Sequence, residues 1–212
     1  MRTTLIVPCL ILAAFASAQV KLQIDSGGKR LGTASITQRL NADGSKLVEL
    51  RMDLPNKLVV RSQNTYDKLG NPIRKFLESI IPGGRLQKQT VATFDSHGAN
   101  LVMLDGSDRK TRQVILVETA PRANQAEFWL LRDKPTVGQQ VKTYVFNIDG
   151  QTWDLVTVTY QGIKQVKIGG KTVSAHVVET AGERPSTAYL DDKGLPWRID
   201  AGATTMTRIS EN

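Results

Sequence analysis

Two adjacent carboxylates, Asp191 and Asp192, stand out among the side chains that could do chemistry, in the stretch YLDDKGLPWRID. An acidic pair could hold a cation or act as a general acid and base. However, aspartate followed by a glycine, here Gly194, is typical of a tight turn, because aspartate caps backbone amides and glycine accepts a positive φ. The distant closing glutamate of a calcium loop is missing. The stretch therefore predicts a hairpin turn, with a cation site as the alternative.

The same plan of an aromatic residue, an aspartate, a glycine and an apolar strand recurs in TYDKLGNPIR at 65–74 and TFDSHGANLV at 93–102. The spacing between these stretches is uneven, whereas a propeller or solenoid keeps a nearly constant period. We therefore predict turns, not repeats.

The two histidines offer little more. His97 lies in the predicted turn DSHG, and His176 lies in the strand-like stretch VSAHVVE. The sequence contains no G-x-S-x-G elbow, no H-E-x-x-H zinc motif and no phosphate-binding glycine loop. We expect His176 to face solvent, and we predict no catalytic residue, no metal site and no cofactor. A Ser-His-Asp arrangement assembled from distant strands is the alternative, because such triads are spatial and not sequential.

Aromatic residues concentrate in the segment EFWLLRDKPTVGQQVKTYVFNIDGQTWDLVTVTYQG. In its stretch 141–148, both faces of the predicted strand are apolar. That pattern indicates a strand covered on both sides, or a curved sheet whose concave face holds an apolar ligand. We predict that Trp129, Tyr144, Trp153 and Tyr160 line a binding groove. An ordinary core, in which indole and phenol groups find hydrogen-bond partners, is the alternative.

The elements that must position these residues follow from alternation of apolar and polar side chains. TASITQRL and KLVELRMDL alternate with a period of two and are joined by NADG, which predicts a β-hairpin. The stretch IRKFLESII, between Pro72 and Pro82, also fits a short helix, but we predict a strand. The candidate strands lie near 20–25, 31–40, 46–54, 57–66, 86–94, 100–105, 112–118, 126–132, 139–148, 152–162, 171–179, 186–191 and 195–209. Such close spacing leaves no room for crossover helices, so the sheet must be mainly antiparallel.

The N-terminus resembles a secretory signal peptide. Arg2 precedes an apolar run, and Ala16-Ser17-Ala18 predicts cleavage before Gln19. The run is shorter than the roughly 20 residues that span a bilayer. The single cysteine, Cys9, lies inside it. We therefore predict a signal peptide over 1–18 and a single cysteine-free antiparallel β domain over 19–212, located in the periplasm or outside the cell.

The chain carries 28 Lys and Arg residues against 20 Asp and Glu residues, a formal net charge of +8. For an exported protein this balance suggests attraction to anionic envelope components, and the compartment argues against nucleic acid. No block of five or six like charges occurs, so a charge that serves only solubility is the alternative. No later segment is long and apolar enough to suggest a span across the membrane.

Four stretches carry a resemblance to known proteins: KLQIDSGGKRLGTASITQRL, FWLLRDKPTVG, TYQGIKQVKIGGKTVSAHVVE and AYLDDKGLPWRI. Together they resemble uncharacterised bacterial envelope domains, which are similar in architecture to the LolA-like lipoprotein carriers. The resemblance implies an unclosed β-barrel whose concave side takes up acyl chains.

The sequence thus predicts an all-β, mainly antiparallel fold, either a curved meander sheet or a partly open β-barrel. The predicted function is that of a non-catalytic binding protein for an acyl chain, a lipoprotein or an anionic envelope component. Two alternatives remain open. One is an envelope hydrolase with dispersed catalytic residues, and the other is a structural module that packs on a partner through an exposed sheet edge.

Overall fold

The computed structural model describes residues 17–81, 83, 85–116, 129–131 and 133–209, and most of these residues lie in one antiparallel sheet of 14 strands. The all-β prediction is therefore confirmed. The predicted signal peptide lies largely in residues 1–16, outside the described residues, and stays a prediction. The strands are β1 (Ser17–Ser26), β2 (Lys29–Leu40), β3 (Lys46–Asp53), β4 (Val59–Tyr66), β5 (Pro72–Ile81), β6 (Arg85–Phe94), β7 (Gly98–Asp105), β8 (Asp108–Ile115), β9 (Gln140–Asn147), β10 (Thr152–Ile168), β11 (Lys171–Ala181), β12 (Ser186–Leu190), β13 (Pro196–Ala201) and β14 (Thr204–Arg208).

The sheet consists of two meanders, β1 to β8 and β9 to β14, joined where β1 pairs with β14. The spatial order runs from β8 down to β1 and then from β14 down to β9, and every neighbouring pair is antiparallel. In the described part of the chain β8 and β9 do not pair with each other, so the barrel is not closed. This agrees with the predicted partly open barrel.

The alternating sequence pattern explains which side of the sheet is buried. In β1, Val20, Leu22 and Ile24 are 8%, 0% and 3% exposed and pack with Ala34 and Leu195, whereas the residues between them lie towards solvent. Alternate side chains of a strand point to opposite faces, so one continuous apolar face results. That face lines the inside of the barrel.

Two local predictions need correction. The predicted strand 195–209 is two strands, β13 and β14, because Gly202 with φ 59° allows a tight turn between them. The predicted strand 126–132 is wrong where it is described, since residues 129–131 are helical. A short apolar run does not distinguish a buried strand from a buried helix. The ambiguous stretch 73–81 is a strand, as predicted.

The sheet overlaps itself instead of closing edge to edge. Phe146 of β9 and Trp153 of β10 pack against Phe94 of β6, with ring centroids 5.1 to 5.8 Å apart and the rings edge to face. The cluster also contains Ala92, Ala99 and Leu101. The other face of β9 carries Val141, which packs on the cluster around Trp129. The predicted strand with two covered faces is therefore β9.

Two polar contacts hold this overlap. The amino group of Lys75, a residue only 7% exposed, donates a hydrogen bond to the carbonyl oxygen of Phe146 at 3.2 Å. The indole Nε1 of Trp153 donates to the carbonyl oxygen of Val114 at 3.3 Å.

Among the described residues, no helix is long and apolar enough to cross a bilayer.

Candidate binding cavity

A cavity of about 480 Å³ lies between strands β9 to β12 and the helical segment, which we define as residues 129–131 and 133. Its volume falls within the roughly 300–1,000 Å³ that is common for small-molecule sites. The wall is mainly apolar and is formed by Trp129, Leu130, Val145, Phe146, Ile148, Val156, Val158, Val178, Ala188 and Leu190.

The helical segment closes one side of this cavity. Trp129 is 3% exposed and Leu130 is 9% exposed, and both pack on Val158, Tyr160 and Val178 of the sheet. Trp129 buries a large aromatic surface there and forms a rigid wall.

The rim of the cavity is polar. It contains Asn147, Asp154 and Thr180 near the sheet, and the exposed residues Glu183 and Arg184 in the turn between β11 and β12. The side-chain amide of Asn147 donates to Asp154 at 3.2 Å. An apolar pocket with a few polar groups at its mouth suits an elongated molecule with one polar end.

The four residues predicted to line a groove fall in two places. Trp129 lines the cavity, and Tyr160 packs beside it with an exposure of 7%. Trp153 belongs to the cluster on the other face of the hairpin, and Tyr144, half-buried, alternates onto the same face as Phe146. The structure therefore brings Trp129 and Tyr160 together in one cluster and Trp153 into another, and neither Trp153 nor Tyr144 lines the cavity, although Phe146 of the second cluster does. A binding role for any of the four stays a prediction.

The aliphatic side chains of the wall were missed by reasoning that concentrated on aromatic residues. Val156 and Val158 alternate with polar residues in DLVTVTY, and Val178 follows in the partner strand. This period-two pattern was visible in the sequence. The sequence did not show on which side of the sheet these valines would meet Trp129, because that depends on the curvature of the sheet.

Tyr160, His176 and Asp192 form a hydrogen-bonded chain beside the cavity. The Tyr160 hydroxyl lies 2.8 Å from Nδ1 of His176, and Nε2 of His176 lies 3.2 Å from Oδ1 of Asp192. The side chain of His176 is 21% exposed, so the expectation of a solvent-facing histidine is wrong. The bulge at Gly162, where the register of β10 and β11 shifts, lets the two strands bring tyrosine and histidine together.

The hydrogen-bonded series of Tyr160, His176 and Asp192 lacks the properties of a catalytic triad. The Asp192 side chain is 98% exposed, whereas the orienting carboxylate of a triad is buried. Burial raises the pKa of the Tyr160 hydroxyl, which disfavours a nucleophilic phenolate. The contacts instead hold the Tyr160 ring against the wall of the cavity.

The adjacent carboxylate Asp191 is a turn residue, as predicted. Its Oδ1 accepts hydrogen bonds from the backbone amides of Lys193 and Leu195 at 3.0 and 2.9 Å, and its Oδ2 pairs with Arg208 at 2.9 Å. Within the described ranges, no three His, Cys, Asp or Glu side chains lie close enough together to hold a metal ion.

The other two aspartate turns have the same geometry. Asp67 accepts from the amides of Leu69 and Asn71, and Asp95 accepts from the amides of His97 and Gly98. The pKa of Asp95 is lowered, mainly by the bond from His97. Burial acts to raise the pKa of Asp67, but the bonds from Asn71 and the backbone outweigh it, and the pKa is lowered. The aspartates thus stabilise turns.

Comparison with known proteins identifies the fold. No protein family matches the sequence, and no curated protein matches it either. Among solved structures, the chain is similar to a β-barrel-like protein of the domain of unknown function DUF1849 from Brucella abortus. The similarity covers 91% of this chain and 93% of that one, with a TM-score of 0.57 and 14% sequence identity. The chain therefore has a β-barrel-like fold.

Proposed function

We propose that this protein is an exported, non-catalytic binding protein that takes up an acyl chain, free or attached to a larger molecule such as a lipoprotein. The observation that carries the proposal is the apolar cavity between the helical segment and β9 to β12, with its polar rim at Asn147, Glu183 and Arg184. A chain of methylene groups would replace water in the apolar part, and its polar end would remain at the rim.

Two further features favour binding over catalysis. The polar chain beside the cavity ends in an exposed carboxylate on Asp192, and the aspartates of the turns are engaged in backbone capping. A hydrolase with dispersed residues would instead need an activated nucleophile, a base and an orienting group in one cleft. The likeness to LolA-like carriers belongs to this proposal, and the partly open antiparallel barrel supports it.

Titration with straight-chain fatty acids of increasing length tests the proposal. Each methylene group buried in the cavity contributes about 0.8 kcal/mol, so the dissociation constant should fall about fourfold per added methylene. The gain should stop once the chain fills the cavity. Calorimetry measures the affinity, and the fluorescence of Trp129 in the cavity wall should change on binding.

Ala188→Phe provides the structural control, because Ala188 of β12 lines the cavity. A phenyl group there should occupy the cavity and abolish fatty-acid binding. Thr187→Phe adds the same group to the opposite face of the same strand and should leave binding unchanged. Unchanged binding by folded Ala188→Phe, checked by circular dichroism, would show that the ligand lies elsewhere.

Export and the natural ligand are tested together. The protein should be recovered from the periplasm or the medium of cells that produce the full sequence, with its N-terminus at Gln19. Native mass spectrometry of that material should show a bound lipid that Ala188→Phe lacks. Recovery of the full-length chain inside the cell would contradict export.

A further inference from the structure

Three leucines from separate parts of the chain surround one hollow at the surface. Leu40 ends β2, Leu69 lies in the turn after β4, and Leu131 belongs to the helical segment. Their exposed fractions are 50%, 60% and 37%. The hollow has a volume of about 490 Å³ and a mainly apolar lining. Exposed apolar side chains that converge from different elements indicate a contact surface, whereas single ones do not.

The hollow lies at one end of the strands. After the predicted cleavage before Gln19, which removes Ser17 and Ala18, its lining comes mainly from the turns after β2, β4 and β12. In an antiparallel meander successive turns alternate between the two ends, so these elements share one end. The turns after β9 and β11, next to the cavity rim, lie at the other end. We call the first end the leucine end.

The charged residues that line the hollow itself are predominantly basic, although the turns at this end also carry aspartates that cap their own backbone, such as Asp43 and Asp191. Lys46, Lys68 and Lys193 line the hollow together with a single acidic residue, Asp67. The carboxylate of Asp67 is turned towards its own backbone, where it accepts from Leu69 and Asn71. The exposed carboxylate next to Lys193, Asp192, is directed to His176.

We propose that the leucine end docks on the surface of a bilayer that contains anionic lipids. Leucines at hairpin tips would enter the boundary between headgroups and acyl chains, and the lysines around them would contact the headgroups. Exposed leucines surrounded by lysines suit an anionic bilayer surface, because both the hydrophobic effect and the attraction between opposite charges favour binding there. The inference deepens the proposed function, since a carrier of acyl chains must reach a membrane to exchange them. The polar rim of the cavity lies at the other end, so only the helical segment, which lines both the hollow and the cavity, connects the docked surface to the site.

The leucine end also connects to the cavity. Leu131 and Trp129 belong to the same helical segment, so one side chain lies at the docking surface and the other forms the cavity wall. Leu131 packs closely over the turn at Gly194, where an added Cβ would meet its Cδ1 at 3.0 Å.

Sedimentation with lipid vesicles tests the proposal on ligand-free protein. We expect binding to vesicles of phosphatidylcholine mixed with phosphatidylglycerol, weaker binding to phosphatidylcholine alone, and a decrease with added salt. Leu40→Asn combined with Leu69→Asn should weaken the partition coefficient at least about tenfold, because two exposed side chains lose their insertion into the apolar region. Lys68→Gln and Lys193→Gln should each weaken it about fivefold on anionic vesicles.

The matched control is Leu155→Asn combined with Ile163→Asn. These residues are 50% and 61% exposed, close to the values of Leu40 and Leu69, but they lie on β10 outside the hollow. The control should bind vesicles like the wild type. Equal losses in both double variants, or full binding by Leu40→Asn/Leu69→Asn, would overturn the proposal. Absence of wild-type binding to anionic vesicles would overturn it too, and a protein partner would then be the occupant to seek.

Ala188→Phe separates this inference from the proposed function. It should lose fatty-acid binding and keep vesicle binding, because its substitution lies in the cavity and not at the leucine end. Vesicle binding without any fatty-acid binding by the wild type would leave the docking surface valid and contradict the carrier function. The reverse result would contradict the docking surface alone.

Discussion

The two edge strands of the sheet, β8 and β9, have opposite environments. Strand β9 is buried in the overlap. Phe146 is only 2% exposed, and its carbonyl oxygen accepts a hydrogen bond from the amino group of Lys75. Strand β8 has seven exposed residues among its eight and carries Arg109, Lys110 and Arg112. Both strands pair with a single neighbour in the described part of the chain.

The difference shows two ways in which an open sheet avoids pairing with other chains. One edge is covered by the protein itself and is protected by burial. The other lies at the surface except near Val114, which contacts Trp153, and is protected by charge, since lysine and arginine on an edge strand oppose the addition of another strand. The covered edge requires apolar side chains on both faces of β9, which explains the aromatic concentration in this part of the sequence.

Phe146→Ala should destabilise the covered edge more than the other variants. Removing a buried aromatic ring from the cluster with Phe94 and Trp153 should lower the free energy of unfolding by about 3–5 kcal/mol. Thr111→Ala on the exposed strand β8 should change it by less than about 0.5 kcal/mol. Urea unfolding followed by tryptophan fluorescence measures both values. Similar effects for the two variants would show that β9 is not tucked inside.

A smaller loss of stability is expected on substitution of Lys75, whose amino group donates a hydrogen bond to the Phe146 carbonyl oxygen of β9. Lys75→Met keeps most of the aliphatic length but leaves the Phe146 carbonyl without its donor, which should cost about 1–3 kcal/mol. Lys75→Ala removes the packed methylene groups as well and should cost more. Equal stability of Lys75→Met and the wild type, measured by urea unfolding, would contradict a role for this hydrogen bond.

Lowering the pH should destabilise the turn between β6 and β7, near one edge, more than the turn between β9 and β10, at the other edge. Asp95 caps the turn between β6 and β7, and its lowered pKa means that its stabilising contribution is complete above the ordinary value of 3.8. That contribution is lost as the pH falls through the lower folded value. Near β9, the amide oxygen of Asn147 accepts from the Gly150 N–H at 3.0 Å and does not titrate.

Between about pH 5 and about pH 2 the wild type should therefore lose more stability than Asp95→Asn. Amide hydrogen exchange should show earlier loss of protection around His97 than around Gly150. An identical pH dependence of unfolding in both proteins would contradict the assigned cap.

The smallest effect on stability is expected where charge protects the edge. Arg109→Thr combined with Lys110→Thr should change the free energy of unfolding by less than about 0.5 kcal/mol, because both side chains are exposed. The variant should nevertheless self-associate at concentrations where the wild type does not. Arg74→Thr with Lys88→Thr makes the same charge change on β5 and β6, which have neighbours on both sides. Sedimentation velocity measures association, and equal association of both variants would exclude edge pairing.

Much of the fold could be predicted from local sequence patterns. The hairpin of β2 and β3 follows from period-two alternation around Asn41 and Gly44, whose φ is 81°. The turn roles of Asp67, Asp95 and Asp191 also follow from local backbone chemistry. Such features need only residues within a few positions of one another, so a single sequence carries them.

The candidate site could be predicted only in part. Trp129 was named from its aromatic character, but its helical conformation was not, because a short apolar run fits either conformation. The contact of Tyr160 with His176 depends on the bulge at Gly162, and its extension to Asp192 depends on the turn after β12. These contacts join residues 16 positions apart.

By itself, the sequence determined an antiparallel all-β chain with turns capped by aspartate, because alternation and turn chemistry act locally. Only the tertiary structure decided which edge is covered, where the helical segment lies and that a cavity remains beneath it. The contact between Lys75 and Phe146 joins residues 71 positions apart. Contacts of that range depend on the curvature of the whole sheet, which no local pattern specifies.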